Sequence, residues 1–149
     1  MIEYLSHSSA ETIDLAYRIG KHLHKGDVLC LKGDLAGGKT TFTKGIGKRL
    51  NIKDIINSPT FNILKIYEGD LRLFHIDAYR LDNSDYDLGF DEFLDEGLSV
   101  IEWPEYFGNY LPKEYLEIEF IYLDENDRKL IFRPCGKRYT ELLKELDLC

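Results

Sequence analysis

The spacing of hydrophobic positions changes along this chain and predicts a succession of helices and strands. A capping-box sequence begins at Ser8 and is followed by apolar residues at helical spacing, which predicts a first helix. Residues 27–32 form an apolar run with polar ends, typical of a central parallel strand that is buried on both faces. Phe42, Ile46 and Leu50 then recur at four-residue intervals, so an amphipathic helix follows this strand.

Two later regions have the pattern of β-hairpins. Residues 61–67 and 71–77 are strand-like runs separated by three turn residues, and the second run shows no single buried face. Residues 115–122 begin with polar and apolar positions in alternation, and after an acidic turn the chain returns as residues 128–133. The sequence therefore predicts two antiparallel strand pairs in addition to the central strand.

Three segments complete the pattern. Residues 98–102 form a short apolar strand that ends in a carboxylate. A closing helix over about residues 138–148 places its leucines on one face. The stretch from 79 to 97 is acidic, with apolar residues for short helices, and we interpret it as a solvated face.

Length and charge limit the class of protein. With 149 residues, the chain is expected to form one domain, residues 1–149, without disulfide or metal staples. A net charge of −8 and a pI near 5.0 argue against a broad nucleic-acid surface, so any nucleic acid would be held by a partner. Three widely spaced cysteines without a C-x-x-C pair argue against a disulfide framework or a zinc site. Without a leader or a long apolar run, we expect a cytoplasmic protein that does not enter a membrane.

The strongest chemical signal is the segment from Gly33 to Thr40, GDLAGGKT, which matches the phosphate-loop pattern G-x-x-x-x-G-K-[ST] at every fixed position. Its glycines allow successive backbone N–H groups to point at a phosphate. Lys39 would reach the outer phosphates, and the Thr40 hydroxyl would bind Mg²⁺. Because a predicted strand precedes the loop and a helix follows it, we expect an α/β fold. The expected fold is a three-layer sandwich like that of P-loop NTPases, with a largely parallel central sheet plus antiparallel hairpins.

Two carboxylates at strand ends are candidates for completing a metal site. Glu102 ends one predicted strand, and one hydroxyl with one carboxylate is a sufficient protein ligand set for Mg²⁺, which keeps several waters. The alternative for Glu102 is an ordinary acid at a strand end. Asp77 closes another strand and could orient water or the hydration shell of the metal. The strand pattern alone does not rank the two acids.

Two further side chains have both a functional and a structural interpretation. Thr60 follows a proline, at a place where the hydroxyl of a switch loop could approach the γ-phosphate of ATP, but threonine is also favoured in such a turn. His75 has the chemistry of a general base, yet a single histidine on a half-buried strand is more often a hydrogen-bonded structural residue. We therefore do not assign His75 to catalysis.

Four motifs, in this order and at this chain length, resemble the TsaE family. They are GDLAGGKTTF, SPTF, HIDAYRL and IEWP, which start at residues 33, 58, 75 and 101. The resemblance covers nearly the whole chain, although the family usually has Gly-Ala where this chain has Ala36-Gly37. It implies a small Mg²⁺-dependent ATPase that is required, with the partners TsaB and TsaD, for threonylcarbamoyladenosine in tRNA. Contact with tRNA would be indirect, through the complex.

The resemblance also implies roles for individual residues. The phosphates of ATP would be bound by Gly33, Leu35, Ala36, Gly37, Gly38, Lys39, Thr40 and Thr41. Catalysis would involve Lys39, Thr60, Asp77 and Glu102, with Thr40 and Glu102 as the ligands of Mg²⁺. Ser9, Thr12 and Arg128 match positions where the base or ribose is contacted; the alternative at the start of the first helix is a simple cap. Tyr79 and Arg80 would serve the partner or the active site.

Three other functions share parts of this signal. A small-molecule P-loop kinase uses the same loop but usually needs a basic lid, and no such segment is evident. A GTPase normally carries a late Asn-Lys-x-Asp sequence, whereas residues 51–54 have the wrong order and lie too early. An interaction module that binds ADP without turnover remains an alternative. With no evident arginine finger apart from Arg80, we expect slow hydrolysis by the isolated chain and faster hydrolysis in a complex.

Overall fold

The computed structural model describes residues 1–33, 38–57, 63–81, 90–108 and 111–146. Within these ranges, seven strands form one sheet with helices packed against it. The strands are β1 (Ile2–Ser6), β2 (Val28–Gly33), β3 (Leu64–Tyr67), β4 (Leu73–Asp77), β5 (Leu98–Glu102), β6 (Tyr115–Tyr122) and β7 (Arg128–Cys135). The helices are α1 (Ser9–Gly20), α2 (Lys39–Arg49), α3 (Phe90–Phe93) and α4 (Lys137–Leu146). None of the helices in these ranges has both the length and the apolar character that crossing a membrane requires.

The strand order is β1-β7-β6-β2-β5-β4-β3. Strands β6, β2, β5 and β4 run parallel to one another at the centre. Strand β3 adds antiparallel to β4 at one edge, and β7 and β1 add antiparallel at the other edge. This arrangement confirms the predicted α/β fold with a parallel centre and two hairpins. It also places the carboxyl ends of the four central strands along one edge of the sheet.

The hydrophobic pattern did not reveal strand β1. Ile2 and Tyr4 are half-buried and alternate with exposed positions, but Leu5 on the exposed side is apolar and obscures the alternation. Pairing with β7 fixes this segment as an edge strand. The mixed pattern of β4 has a different cause. Four successive residues of β4 are buried because the strand lies between β3 and β5 and is covered on both faces.

Two hydrophobic clusters surround the sheet. The larger one joins α1, α2 and α4 to one face, and the smaller one on the other face contains Val28, Cys30 and Ile101. Helices α1 and α2 pack closely, since a Cβ at Gly45 would lie 2.5 Å from the carbonyl oxygen of Ile13. Glycine at this position therefore allows the two helices to approach closely.

The acidic stretch that we interpreted as a solvated face is only partly described, because residues 82–89 lie outside the described ranges. Glu92, Asp95 and Glu96 are exposed, as expected for a solvated face. Phe93 and Leu94, however, pack against the smaller cluster. In its described part the stretch is therefore an amphipathic cover on the sheet.

Candidate nucleotide-binding site

The phosphate-loop motif connects strand β2 to helix α2, as the sequence predicted. Gly33 and Gly38 bound the loop with φ angles of +129° and +103°, in the region that favours glycine. A Cβ at Gly33 would overlap the carbonyl oxygen of Phe120. Gly38 caps α2 without a side-chain hydrogen bond, so no side chain caps the amino end of this helix. The predicted phosphate-binding residues Leu35, Ala36 and Gly37 lie outside the described residues.

Lys39 is the first residue of α2 and is buried, with 3% of its surface exposed. Its Nζ atom donates a hydrogen bond to the carbonyl oxygen of Gly33 at 2.9 Å. The same atom lies 4.1 Å from the centroid of the Trp103 ring, within the range of a cation–π interaction. The ammonium group therefore joins the end of β2 to the residue that follows β5.

The two candidate acids lie side by side at the carboxyl edge. Asp77 of β4 is the register partner of Glu102 in β5, and Glu102 is the register partner of Leu31 in β2. Glu102 is buried, and its Oε2 atom lies 2.6 Å from Nε2 of His75. Asp77 is half-buried, and its Oδ1 atom accepts a hydrogen bond from the N–H of Tyr79. The structure thus brings Asp77 and Glu102 together, with Glu102 the more enclosed of the two.

Thr40 and Thr41 occupy the first turn of α2, and both are half-buried. Their helix begins where β2, β5 and Lys39 meet, so the predicted Mg²⁺ ligands Thr40 and Glu102 belong to elements that converge at one edge. The predicted catalytic residue Thr60 lies outside the described residues.

A small cavity of about 40 Å³ collects the other predicted nucleotide contacts. Its lining includes Ser9, Thr12, Gly38, Thr41 and Arg128, together with Ser8 and residues of the β6–β7 turn. These residues come from the start of α1, the start of α2 and the start of β7. The five candidates therefore line one cavity, although Ser9 and Arg128 lie more than a hundred positions apart in the sequence.

Some of these side chains already have partners within the protein. The hydroxyl of Thr12 lies 2.7 Å from the hydroxyl of Ser6. The Arg128 guanidinium donates to the carbonyl oxygens of Asp124 and Asp127 and lies 4.6 Å from the centroid of the Tyr122 ring. These contacts hold the cavity wall in place.

The start of α1 has the predicted cap with one change. The Ser8 hydroxyl accepts a hydrogen bond from the N–H of Glu11, as a capping box requires. The Glu11 carboxylate, however, accepts from the N–H of His7 and not from that of Ser8. His7 also lies 3.1 Å from Asp127, whose hydrogen bond raises the pKa of His7.

The Asp124 carboxylate accepts hydrogen bonds within the β6–β7 turn. Backbone N–H groups of Asp127 and Asn126 donate to the Asp124 carboxylate and lower the pKa of Asp124. These two hydrogen bonds stabilise the turn that borders the cavity.

An aromatic cluster next to Lys39 was not predicted from the sequence. The ring centroid of Trp103 lies 5.4 Å from that of Tyr79, and the ring centroids of Tyr79 and Tyr106 are 5.3 Å apart. Tyr79 is 55% exposed, and the side chain of its predicted companion Arg80 is outside the described part. The only available signal was the position of Trp103 directly after the candidate acid Glu102.

Comparisons with known proteins match most of this chain to one protein family. The family model described as threonylcarbamoyl adenosine biosynthesis protein TsaE matches residues 6–130. The tRNA threonylcarbamoyladenosine biosynthesis protein TsaE of Bacillus subtilis is 42% identical over 138 residues, which cover 91% of this chain and 87% of that protein. The protein of the same name from Aquifex aeolicus is 41% identical over 132 residues, which cover 86% of this chain and 92% of that protein.

A solved structure extends the agreement to the fold. The crystal structure of Bacillus subtilis YdiB matches this chain with a TM-score of 0.84 and 35% sequence identity, covering 97% of this chain and 93% of that chain. The family match contains the phosphate loop, the two strand-end acids and the residues that line the cavity. The chain therefore belongs to the TsaE family.

Proposed function

We propose that this protein is a Mg²⁺-dependent ATPase that acts in the threonylcarbamoyladenosine modification of tRNA, on a complex of TsaB and TsaD. Family membership supports the tRNA-modification pathway. The observation that carries the ATPase proposal is the convergence of Lys39, Glu102 and the glycine-bounded loop at one edge of the sheet. ATP binding and hydrolysis would drive a change of shape in the complex. This chain would not itself transfer the carbamoyl group.

The amino end of α2 suits a phosphate chain for electrostatic reasons. The amino end of α2 carries the positive end of the helix dipole and has N–H groups that no side chain caps. Lys39 adds a full positive charge at the same end. A phosphate group there would receive hydrogen bonds from the backbone and a charge-assisted bond from the lysine.

The strand ends fit Mg²⁺. The ion prefers oxygen ligands, needs only one or two from the protein and keeps several waters. The Thr40 hydroxyl and the Glu102 carboxylate would supply these oxygens. When bound, the ion would neutralise charge on the β- and γ-phosphate oxygens of ATP. Asp77, beside Glu102 in the register, would lie near the hydration shell.

For hydrolysis, a water molecule would attack the γ-phosphorus in line with the leaving β-phosphate oxygen. Lys39 and the loop N–H groups would stabilise the negative charge on the transferred group. Asp77 is half-buried and next to the metal-binding acid, which suits it to orient the water. Thr60 remains a candidate for sensing the γ-phosphate. Fast turnover would require a contribution from the partners, since the sequence shows no evident arginine finger apart from Arg80.

The intrinsic fluorescence of Trp103 provides the binding test, since it is the single tryptophan and it contacts Lys39. Titration with ATP and Mg²⁺ should change the emission of the wild type as the lysine moves from the indole ring to phosphate. Lys39→Ala should lose the response to ATP, and Glu102→Gln should lose mainly its dependence on Mg²⁺. Lys44→Ala, an exposed lysine of the same helix, is the matched control and should behave as the wild type.

Activity requires a second experiment. ADP formation should be slow with the purified chain and faster when TsaB and TsaD are added. Equal rates with and without these proteins would contradict the proposed role. Stimulation by one small alcohol or nucleoside acceptor would instead indicate a kinase.

A further inference from the structure

His75 is fully buried in β4, and among the described residues Glu102 is the only hydrogen-bonding partner of its side chain. The Nε2 atom of His75 lies 2.6 Å from Oε2 of Glu102. The side chains are 0% and 6% exposed, so water does not compete strongly for either partner. The contact joins two neighbouring parallel strands across 27 positions of sequence.

The direction of this hydrogen bond follows from the two groups. In the ionised form that would bind Mg²⁺, the Glu102 carboxylate only accepts hydrogen bonds, so Nε2 of His75 would be the donor in this contact. Nδ1 of His75 is buried and has no hydrogen-bonding partner among the described residues. The histidine therefore directs its one described polar contact at a single oxygen of Glu102.

The bond divides the two oxygens of Glu102 between two tasks. Oε2 is occupied by the imidazole, and within the described ranges Oε1 of Glu102 has no hydrogen-bonding partner. A glutamate side chain has several rotatable bonds, and ordering it on metal binding costs conformational entropy. A buried donor that fixes one oxygen in advance lowers this cost and orients the other oxygen.

We propose that His75 is a positioning residue that holds the Glu102 carboxylate ready for Mg²⁺. The inference rests on the proposed function, since it takes Glu102 as the metal ligand. His75 does not touch the metal or the nucleotide and acts through Glu102 alone. Groups that orient a metal ligand typically change metal affinity by about 10- to 100-fold when they are removed.

The test measures how strongly Mg²⁺ promotes ATP binding. Calorimetry gives the dissociation constant of ATP in EDTA and again in excess Mg²⁺, and their ratio is the Mg²⁺ factor. Because ATP also binds Mg²⁺ in solution, linkage makes this factor equal to the ratio of the Mg²⁺ affinities of protein-bound ATP and free ATP. A role confined to folding would weaken both constants alike, whereas a positioning role changes the ratio.

Two variants remove the donor in different ways. His75→Asn keeps a polar group that is too short to reach Glu102, and His75→Phe keeps the ring without its N–H group. Either is expected to lower the Mg²⁺ factor about tenfold while the constant in EDTA stays near that of the wild type. If one variant does not fold, the other decides. His75→Gln, whose amide nitrogen can take the place of Nε2, should recover a large part of the factor.

Leu73→Ala is the matched control because Leu73 is fully buried in the same strand and lies outside the His75–Glu102 contact. It should reduce stability and leave the Mg²⁺ factor unchanged. A wild-type factor in His75→Asn or His75→Phe overturns the positioning role, as does an equal fall in Leu73→Ala. If the wild type itself binds no ATP, or binds it equally with and without Mg²⁺, the proposed function fails, and this outcome is distinct from failure of the positioning role alone.

Discussion

The two ends of strand β2 carry different kinds of polar structure. At its amino end, buried Asp27 accepts hydrogen bonds from Arg138 at 2.9 Å and from the N–H of His24 at 2.6 Å. The Tyr139 hydroxyl accepts from the N–H of Val28 at 2.8 Å and donates to Asp27. At the carboxyl end, Gly33 has a φ of +129°, and its carbonyl oxygen accepts a hydrogen bond from the buried Lys39.

The difference lies in how the polar groups are satisfied. The Asp27 cluster, defined by Asp27, Arg138 and Tyr139, satisfies its members internally and ties α4 to the sheet across 111 positions of sequence. At the carboxyl end, Gly38 precedes helix α2, which begins without a side-chain cap. Side chains therefore stabilise the fold at the first end, whereas the second end is the one to which the proposed function assigns ligand binding.

The largest effect is expected from Gly33→Ala. The substitution places a Cβ against the Phe120 carbonyl oxygen at a φ of +129°, so backbone strain and overlap combine. We expect a loss of roughly 4 kcal/mol in the free energy of unfolding, measured by urea denaturation. Gly38→Ala is the control, since its φ is +103° but its Cβ would meet only a ring carbon of Phe120 at 3.9 Å. It should cost only about 1 kcal/mol, and equal losses would contradict a role for the overlap.

Asp27→Ala should have the next largest effect. It leaves the Arg138 guanidinium and the N–H of His24 without their carboxylate partner. A loss of about 3 kcal/mol in the free energy of unfolding is expected. Asp54→Ala, which removes an exposed carboxylate, should change stability by less than about 0.5 kcal/mol. ATP binding by folded Asp27→Ala should equal that of the wild type, and a large loss of affinity would show that the two ends of β2 are not separate in function.

Alkaline pH should reduce the stabilisation that Tyr139 provides at the amino end of β2. Burial raises the pKa of Tyr139 above its ordinary value of 10.0. The folded protein therefore keeps this proton at a pH where the unfolded chain releases it, and the stability from Tyr139 falls as pH rises above about 10. Urea denaturation should show this decline between about pH 9 and 11, and a smaller decline in Tyr139→Phe. The same pH profile in both proteins would rule out a contribution from this hydroxyl.

The smallest effect on stability is expected from Lys39→Met. The substitution removes the hydrogen bond to Gly33 and the contact with the Trp103 ring, but it also removes the cost of burying an ammonium group. The free energy of unfolding should change by less than about 1 kcal/mol, while ATP binding should be lost. A loss as large as that of Asp27→Ala would mean that Lys39 serves the fold as much as the ligand.

The sequence predicted the fold well where local patterns are strong. The strand that ends at Gly33 and the helix that begins at Lys39 were predicted correctly, because an apolar run and a four-residue repeat are local signals; the loop residues 34–37 lie outside the described ranges. Both hairpins were correct because two strand-like runs separated by turn residues are a local signal, strengthened in the second hairpin by the alternation along β6. Strand β1 was missed because Leu5 breaks its alternation and its pairing partner β7 lies at the far end of the chain.

The candidate site was predictable as a set of residues and less so as a set of contacts. Lys39 was singled out by the phosphate-loop motif, and Asp77 and Glu102 by their places at strand ends. The structure brings the ends that carry these residues to one edge of the sheet. The contact of His75 with Glu102 was not foreseen, since it requires β4 and β5 to be neighbours. The contact of Lys39 with Trp103 requires β5 to lie next to β2.

By itself, the sequence identified candidate residues for phosphate and metal binding, because glycine, lysine, hydroxyl and carboxylate groups occur in a motif and at strand ends where such ligands are commonly bound. Only the tertiary structure decided which of these groups meet, since strand order places distant segments side by side. Thus Asp27 is satisfied by α4 and stabilises the fold, whereas Glu102 is paired with His75 through one oxygen. The same type of side chain has a different role at each end of the sheet because its neighbours come from different parts of the chain.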